Sequence, residues 1–249
     1  MPGVIAVIPA RLESTRFPRK ALADETGLPL IIHVARKAAE SKRVQGVIIA
    51  SDADEILNAA REHGFDARST RADHLNGTTR IAEVAQSLDC DLVVNVQADE
   101  PEIDPSIIDA AIEALEQNPG CQVGTIASWM SPEDDPEDPN LVKVVLDQSG
   151  EALYFSRAAI PLQRDSGQPL PRLRHVGLYV YRRDFLPIYA ALEPTSAEQA
   201  EKLEQLRILE HGHRIAVAIR ESNHQGIDTP EQYQAFVNRQ ANLAADLRN

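Results

Sequence analysis

Residues 4–20 read VIAVIPARLESTRFPRK, and this stretch decides the fold class. Its first part is a short apolar run, which is typical of a strand buried on both faces of a parallel sheet. Pro9 then ends the ladder, because proline has no backbone N–H to donate. The loop that follows carries a cluster of cations, namely Arg11, Arg16, Arg19 and Lys20.

The charge of this loop indicates what it binds. The whole chain has a formal net charge of -13, so the cluster is a local reversal of sign. Open α/β sheets bind their ligands outside the carboxyl ends of the strands, which is where this loop begins. Guanidinium and ammonium groups bind phosphate oxygens, and we therefore predict a phosphate-rich substrate. A solvated basic loop is the alternative interpretation.

Length and composition set the class of protein. Of 249 residues, 43% are hydrophobic and 4% aromatic, which indicates a globular protein with an aliphatic core. No apolar run approaches the roughly 18 residues of a membrane-spanning helix, and the N-terminus shows no signal-peptide pattern. Cys90 and Cys121 lack metal or disulfide spacing, so we expect a reducing cytoplasm. The acidic balance argues against nucleic-acid binding.

Apolar runs alternate with amphipathic stretches through residue 118, which predicts βαβ units and a Rossmann-like half with a parallel sheet. The last helix of this half has Asp104 as its N-cap and Pro105 at its first position. The predicted strands are 4–9, 46–51 and 91–97, and the predicted helices are 29–41, 53–63, 78–88 and 104–117.

The pattern becomes rich in strands after about residue 120. A hairpin turn is indicated at Gly150, since glycine readily adopts a positive φ. The segment has too little continuous apolar sequence for a core of its own, and we interpret 122–190 as a β-rich insertion that packs on a second subunit. We expect one domain over 1–249, with strands at 122–129, 141–147, 151–155, 175–182 and 214–220 and helices at 184–193, 196–211 and 230–247.

Two acidic segments predict a metal site. VNVQADEP, residues 94–101, ends an apolar strand with Asp99 and Glu100. Carboxylates at the carboxyl end of a strand, beside a basic loop, suit Mg²⁺ bridging protein and phosphate oxygens. Asp228 in GIDTPEQY is the second candidate ligand. An acidic turn before a helix and a capping aspartate are the alternative interpretations.

Other polar segments point to substrate contacts without fixing them. TRADHLNGTTR, residues 70–80, suits a base, a sugar or an anion at a helix start, and a plain surface histidine is the alternative for His74. Arg157 follows an apolar strand, and its planar guanidinium suits a substrate carboxylate. An ion pair between Arg157 and Glu204 is the alternative interpretation. The chain has no Walker A motif, no GxGxxG and no spacing typical of a nucleophilic triad.

Together these motifs resemble the CMP-Kdo synthetases, the 3-deoxy-manno-octulosonate cytidylyltransferases, over essentially the whole chain. The resemblance implies a Rossmann-like, GT-A-like mixed sheet with helices on both faces and a homodimer formed through the β-rich insertion. It further implies that CTP and the acidic sugar Kdo give CMP-Kdo and pyrophosphate, with Mg²⁺ as cofactor, for lipopolysaccharide synthesis. The matching segments are PARLESTRFPRK, TRADHLNGTTR, VNVQADEP, ALYFSRAAIP, RHVGLYVYR, LEQLR and GIDTPE.

The same resemblance assigns roles to individual residues. It assigns catalysis to Arg11, Lys20, Asp99 and Asp228, and of these the two aspartates are the metal ligands. Nucleotide binding falls to Arg11, Ser14, Arg16, Lys20, Arg71, Ala72, Asp73, Gly77 and Thr78. Sugar binding falls to Gln97, Arg157, His175, Tyr179, Glu204 and Gln205. Transfer to another 2-keto acid sugar, such as 8-amino-Kdo or a sialic acid, and a non-catalytic nucleotide-binding relative are the alternative functions.

Three positions depart from the pattern of that family. Arg19 and Ala98 each replace a glycine, in the motifs PGK and GDEP, and Asn76 replaces the serine of SGT. A lost glycine narrows both the conformations open to the backbone and its closest approach to a ligand. Arg11, Lys20, Asp99 and Asp228 are all present, so the predicted reaction is unchanged.

Overall fold

The computed structural model describes residues 3–14, 16–165, 167, 170–222 and 226–246. Within these ranges nine strands form one sheet. The strands are β1 (Val4–Ala10), β2 (Gly46–Ser51), β3 (Asp66–Ser69), β4 (Leu92–Asn95), β5 (Val123–Trp129), β6 (Lys143–Leu146), β7 (Ala152–Ser156), β8 (Leu173–Arg182) and β9 (Ile215–Ile219). The helices are α1 (Leu30–Ala39), α2 (Asp54–Glu62), α3 (Gly77–Ala85), α4 (Pro105–Gln117), α5 (Phe185–Ala191), α6 (Ser196–Glu201), α7 (Gln205–Glu210) and α8 (Pro230–Asp246), with a 3-10 turn at Lys20–Leu22.

The strand order is β3-β2-β1-β4-β8-β5-β9, with β6 and β7 beside this path. Strands β1 to β4 run parallel, whereas β8 is antiparallel to β4, β5 and β6. The predicted mixed α/β sheet is confirmed. Within the described ranges no helix combines the length and the apolar character needed to cross a membrane.

Alternation along β1 explains why helices cover both faces of the sheet. Val4, Ala6 and Ile8 pack in one core layer with residues of α1 and α4, and Val7 packs in the other with residues of α3 and α5. Successive side chains of a strand point to opposite faces, so a run that is apolar throughout needs cover on both sides. The N-cap prediction for α4 is also confirmed, because the Asp104 carboxylate accepts from the Ser106 N–H at 2.8 Å.

Two sequence predictions are wrong. Strand β3 was absent from the predicted elements, because its sequence DARS is largely exposed at the edge of the sheet and shows no apolar alternation. The single helix predicted over 196–211 is two helices, since α6 ends at Glu201 and its C-cap Lys202 is left-handed, with φ of 54°. Leu203 and Leu206 are both buried and continue the helical spacing across this break, which hides it from periodicity.

The segment 122–190 shares its core with the rest of the domain. Strands β5 and β8 lie inside the main sheet, between β4 and β9. Val123 and Phe155 pack in the same layer as Ile81 of α3. The β6–β7 hairpin turns at Gly150, with φ of 82°, as its sequence indicates. Dimerisation through this segment stays a prediction.

We predict that Gly124→Ala will destabilise the fold, because α4 crosses β5 at this glycine. An added Cβ would lie 2.6 Å from the carbonyl oxygen of Ala111 and 3.0 Å from the Cβ of Leu115. Overpacking of this kind costs about 1–3 kcal/mol, measurable by urea unfolding. Gly46→Ala is the matched strand control, since its Cβ would meet only the flexible end of Ile5, at 3.3 Å. Equal unfolding free energies for the two variants would contradict this packing.

Candidate active site

The basic loop and the acidic segment meet at one edge of the sheet. Strands β1 and β4 pair in parallel, so the chain leaves both at the same end. A pocket of about 360 Å³ opens there. Among its lining residues are Arg11, Ser14, Arg16 and Lys20 from the loop after β1, and Gln97, Asp99 and Asp228 opposite them.

Lys20 lies between the two aspartates that line this pocket. Its ammonium lies 2.9 Å from Asp99 Oδ2 and 3.2 Å from Asp228 Oδ1, and its side chain is 15% exposed. Arg16 approaches the other oxygen of Asp228 at 3.1 Å. The two predicted metal ligands therefore converge on a single positive charge.

This donor set fits Mg²⁺. The described residues contain no cluster of three or more His, Cys, Asp or Glu side chains arranged for a metal ion. Magnesium is usually bound through one or two carboxylates together with water and substrate phosphate oxygens, and not by an all-protein cage. Asp99 and Asp228 provide two carboxylates aimed at one point, beside cations that suit phosphates.

Arg19 does not take part in this pocket, although the sequence groups it with the other cations. Its guanidinium forms an ion pair with Glu55 at the start of α2. Its backbone is left-handed, with φ of 60°. The hydrogen bonds from Arg19 lower the pKa of Glu55. Arg19 thus shapes the turn that delivers Lys20, and its side chain lies outside the pocket.

The loop over residues 70–80 is organised by Glu83 of α3, which sequence reasoning missed. The Glu83 carboxylate accepts from the backbone N–H of Arg71 and contacts Nε2 of His74. Burial raises the pKa of Glu83, but the hydrogen bonds from His74 and Arg71 outweigh it, so the pKa lies below its ordinary value. His74 is buried, so the surface-histidine interpretation is wrong. Its carbonyl accepts from Arg11 at 3.0 Å.

The predicted nucleotide residues of this loop divide into two groups. Arg71, Ala72 and Asp73 are exposed, and they do not line the pockets beside the loop. Gly77 and Thr78, at the start of α3, line a second pocket that adjoins the first. A Cβ on Gly77 would lie 3.1 Å from Pro9 Cγ, so glycine lets α3 begin close against the end of β1.

A second pocket of about 630 Å³ adjoins the first and shares Arg16 and Gln97 with it. All six residues that the resemblance assigns to sugar binding line this pocket. They come from the end of β4, from the end of β7, from β8 and from the start of α7, namely Gln97, Arg157, His175, Tyr179, Glu204 and Gln205.

Arg157 is held by backbone carbonyls. Its Nε donates to the carbonyl of Glu201 at 2.7 Å, and its Nη1 donates to the carbonyl of Pro139 at 2.7 Å. Among the described residues, the side-chain hydrogen bonds of Arg157 all go to backbone carbonyls, and none goes to Glu204. Backbone carbonyls, and not the alternative ion pair with Glu204, therefore hold the Arg157 guanidinium at the second pocket.

Glu204 links the start of α3 to the second pocket. Its Oε2 accepts from the Thr78 hydroxyl at 3.2 Å and from the Tyr189 hydroxyl at 3.4 Å. The residue is exposed to the pocket, yet the protein crowds its carboxylate, and this desolvation raises the pKa of Glu204. Tyr189, which is buried on α5, was not singled out from the sequence because its partners are distant along the chain.

We predict that Arg19→Gly will be more stable than Arg19→Ala, the reverse of the usual order. A left-handed backbone costs an L-residue about 1–2 kcal/mol, and glycine avoids this cost. Both variants lose the contact with Glu55, so the difference between them measures the cost of the left-handed backbone at residue 19. The expected difference in Tm is about 2–8 °C, measured by calorimetry. A higher Tm for the alanine variant would show that residue 19 is not left-handed.

Comparisons with known proteins identify the family of this chain. A family model described as cytidylyltransferase matches residues 5–215. A 3-deoxy-manno-octulosonate cytidylyltransferase of Solibacter usitatus is 46% identical over 228 residues, which cover 92% of this chain and 90% of that protein. A protein of the same name from Geobacter sulfurreducens is 46% identical over 247 residues, which cover 95% of this chain and 99% of the relative.

A solved structure extends the match to three dimensions. It is a CMP:2-keto-3-deoxy-manno-octonic acid synthetase in complex with CTP, with a TM-score of 0.91 and 36% identity. The alignment covers 96% of this chain and 99% of that one. On this evidence the chain is a nucleotidyltransferase that belongs to the cytidylyltransferase family.

Proposed function

We propose that this enzyme transfers CMP from CTP to 3-deoxy-manno-octulosonate (Kdo), giving CMP-Kdo and pyrophosphate. One observation carries the proposal: a pocket lined by the whole predicted sugar-binding set adjoins a cation-lined pocket, and the two share Arg16 and Gln97. A triphosphate and a sugar bound side by side in this cleft would meet near those residues. The names of both curated relatives support Kdo as the acceptor.

The reaction is an in-line substitution at the α-phosphorus of CTP. The anomeric hydroxyl of the sugar forms the new O–P bond and gives up its proton to solvent, and the bond from the α-phosphorus to the bridging oxygen breaks and releases pyrophosphate. Catalysis of this kind consists mostly of positioning and charge stabilisation. Arg11 and Lys20 bind the phosphates and hold the leaving pyrophosphate, because both line the first pocket.

Asp99 and Asp228 would hold Mg²⁺ in this site. When bound, the ion supplies charge neutralisation at the phosphate oxygens and lowers the pKa of the attacking hydroxyl. Lys20 bridges the two carboxylates in the structure described here, at 2.9 and 3.2 Å. In the substrate complex the same ammonium binds phosphate.

Residues of the second pocket recognise the acidic sugar. The guanidiniums of Arg16 and Arg157 supply positive charge for its carboxylate. Tyr179, Glu204 and Gln205 supply polar groups for its hydroxyls. Burial raises the pKa of Tyr179 well above its ordinary value, so its hydroxyl stays protonated and can donate.

We further propose a homodimer formed through 122–190, with the product serving lipopolysaccharide synthesis. Leu153, Tyr154, Leu162 and Leu170 are large apolar side chains exposed in this segment. A second subunit packed against this segment would cover large apolar side chains that are otherwise exposed to water. The two cysteines are free thiols, which supports the cytoplasm as the location.

Pyrophosphate release with a panel of substrates tests the proposed function directly. We expect turnover with CTP and Kdo, and weaker turnover with 8-amino-Kdo or a sialic acid as acceptor. UTP should be poorer than CTP by about tenfold or more in kcat/KM, because a carbonyl in place of the amino group leaves buried acceptors unpaired. Pyrophosphate release with none of these sugars, although CTP binds, would favour a non-catalytic relative.

We predict that Asp99→Asn will lower turnover by about a hundredfold, or about 2.7 kcal/mol, because it removes a preorganised charge at the phosphates. Turnover is measured across a Mg²⁺ titration, and binding of Mn²⁺ is followed in parallel by electron paramagnetic resonance. Asp89→Asn, at an exposed position outside both pockets, is the matched control for loss of one charge. A folded Asp99→Asn enzyme with near wild-type turnover at saturating Mg²⁺ would exclude Asp99 as a ligand.

A further inference from the structure

Thr125 and His175 lie on neighbouring strands, and their side chains form a hydrogen bond. Thr125 lies on β5 and His175 on β8, which pair antiparallel with an irregularity just after Thr125. Thr125 is fully buried, at 0% exposure. Its Oγ1 lies 2.6 Å from the carbonyl oxygen of Leu178 and 2.9 Å from Nε2 of His175.

These two distances decide where the protons are. A hydroxyl has one hydrogen, and a carbonyl oxygen can only accept. The Thr125 hydroxyl therefore donates to Leu178, and only its lone pairs remain for His175. The hydrogen bond at 2.9 Å then requires His175 to donate from Nε2.

The remaining nitrogen of His175 is consequently an acceptor. The ring is flanked by Phe155 and Tyr179, with centroids at 5.0 and 5.3 Å. Desolvation lowers the pKa of His175 to about 3, so the ring is neutral near pH 7. A neutral imidazole has one N–H, and Nε2 holds it. Nδ1 has no hydrogen-bond partner among the described residues, and the ring lines the second pocket.

We propose that Thr125 is a positioning residue that fixes His175 in its Nε2–H tautomer and so presents a hydrogen-bond acceptor to a hydroxyl of the acceptor sugar. The inference rests on the proposed function, since it concerns the pocket assigned to the sugar. A lone pair favours a hydroxyl donor and repels a carboxylate oxygen. His175 therefore helps to orient the sugar, with hydroxyls toward β8 and the carboxylate toward the guanidiniums of Arg16 and Arg157.

The first test is a long-range proton–nitrogen NMR spectrum of the full-length chain labelled with ¹⁵N-histidine, recorded at pH 7 without substrates. The signals of His175 are assigned from their loss in His175→Gln. We expect the pattern of a neutral ring protonated at Nε2. A ring protonated at Nδ1, or an imidazolium, would overturn the inference. This readout involves no turnover, so its failure is distinct from failure of the proposed reaction.

The second test compares Thr125→Val with Thr125→Ser. Valine keeps the shape but removes the hydroxyl, so we expect mixed tautomers and a KM for Kdo raised about tenfold, with the KM for CTP unchanged. Serine should restore the tautomer and the KM for Kdo. A rise in both KM values, or a wild-type KM for Kdo with an altered tautomer, would overturn the positioning role. If the valine variant does not fold, the wild-type spectrum and the serine variant decide.

Discussion

The site depends on one electrostatic constraint: two carboxylates lie close together, and an ammonium lies between them. Asp99 and Asp228 would repel each other if no positive charge were near. Lys20 contacts both, and the backbone N–H of Ile227 donates to the carbonyl of Asp99 at 2.8 Å. These contacts bind the start of α8 to the edge of the sheet. The pocket is thus assembled from three distant parts of the chain.

The parallel pairing of β1 with β4 places this group of charges at the edge of the sheet, where two adjoining pockets share Arg16 and Gln97. The loop after β1 supplies the cations, and the segment after β4 supplies Gln97 and Asp99. Strand β8 then pairs with β4 on its other side, which brings His175 and Tyr179 to the neighbouring pocket. In the proposed mechanism, the order of these three adjacent strands would place the phosphates, the reacting centre and the sugar side by side.

Buried apolar runs and helix caps could be predicted from the sequence, because their causes are local. Strands β1 and β2 and the Asp104 cap follow from neighbouring residues alone. The placement of His74 could not be predicted, because it depends on Glu83 across a loop. The six residues predicted to bind the sugar were found through a family resemblance, and all of them line the second pocket. Sequence spacing alone allowed two interpretations of Arg157, a contact with a substrate carboxylate or an ion pair with Glu204. Neither interpretation predicted the backbone carbonyls that hold its guanidinium in the structure.

The three positions that depart from the family pattern differ in the backbone conformation that each residue adopts. Asn76 caps α3 as a serine would, since its Oδ1 accepts from the Thr79 N–H at 2.9 Å. Ala98 does not have a positive φ, because Arg19 and Lys202 are the non-glycine residues with positive φ in the described ranges. Glycine is therefore not required by the backbone at 98. Arg19 alone occupies a conformation that favours glycine, with φ of 60°. Its ion pair with Glu55 lies outside the pocket, so this chain changes the turn before Lys20 while the Lys20 ammonium still reaches both carboxylates.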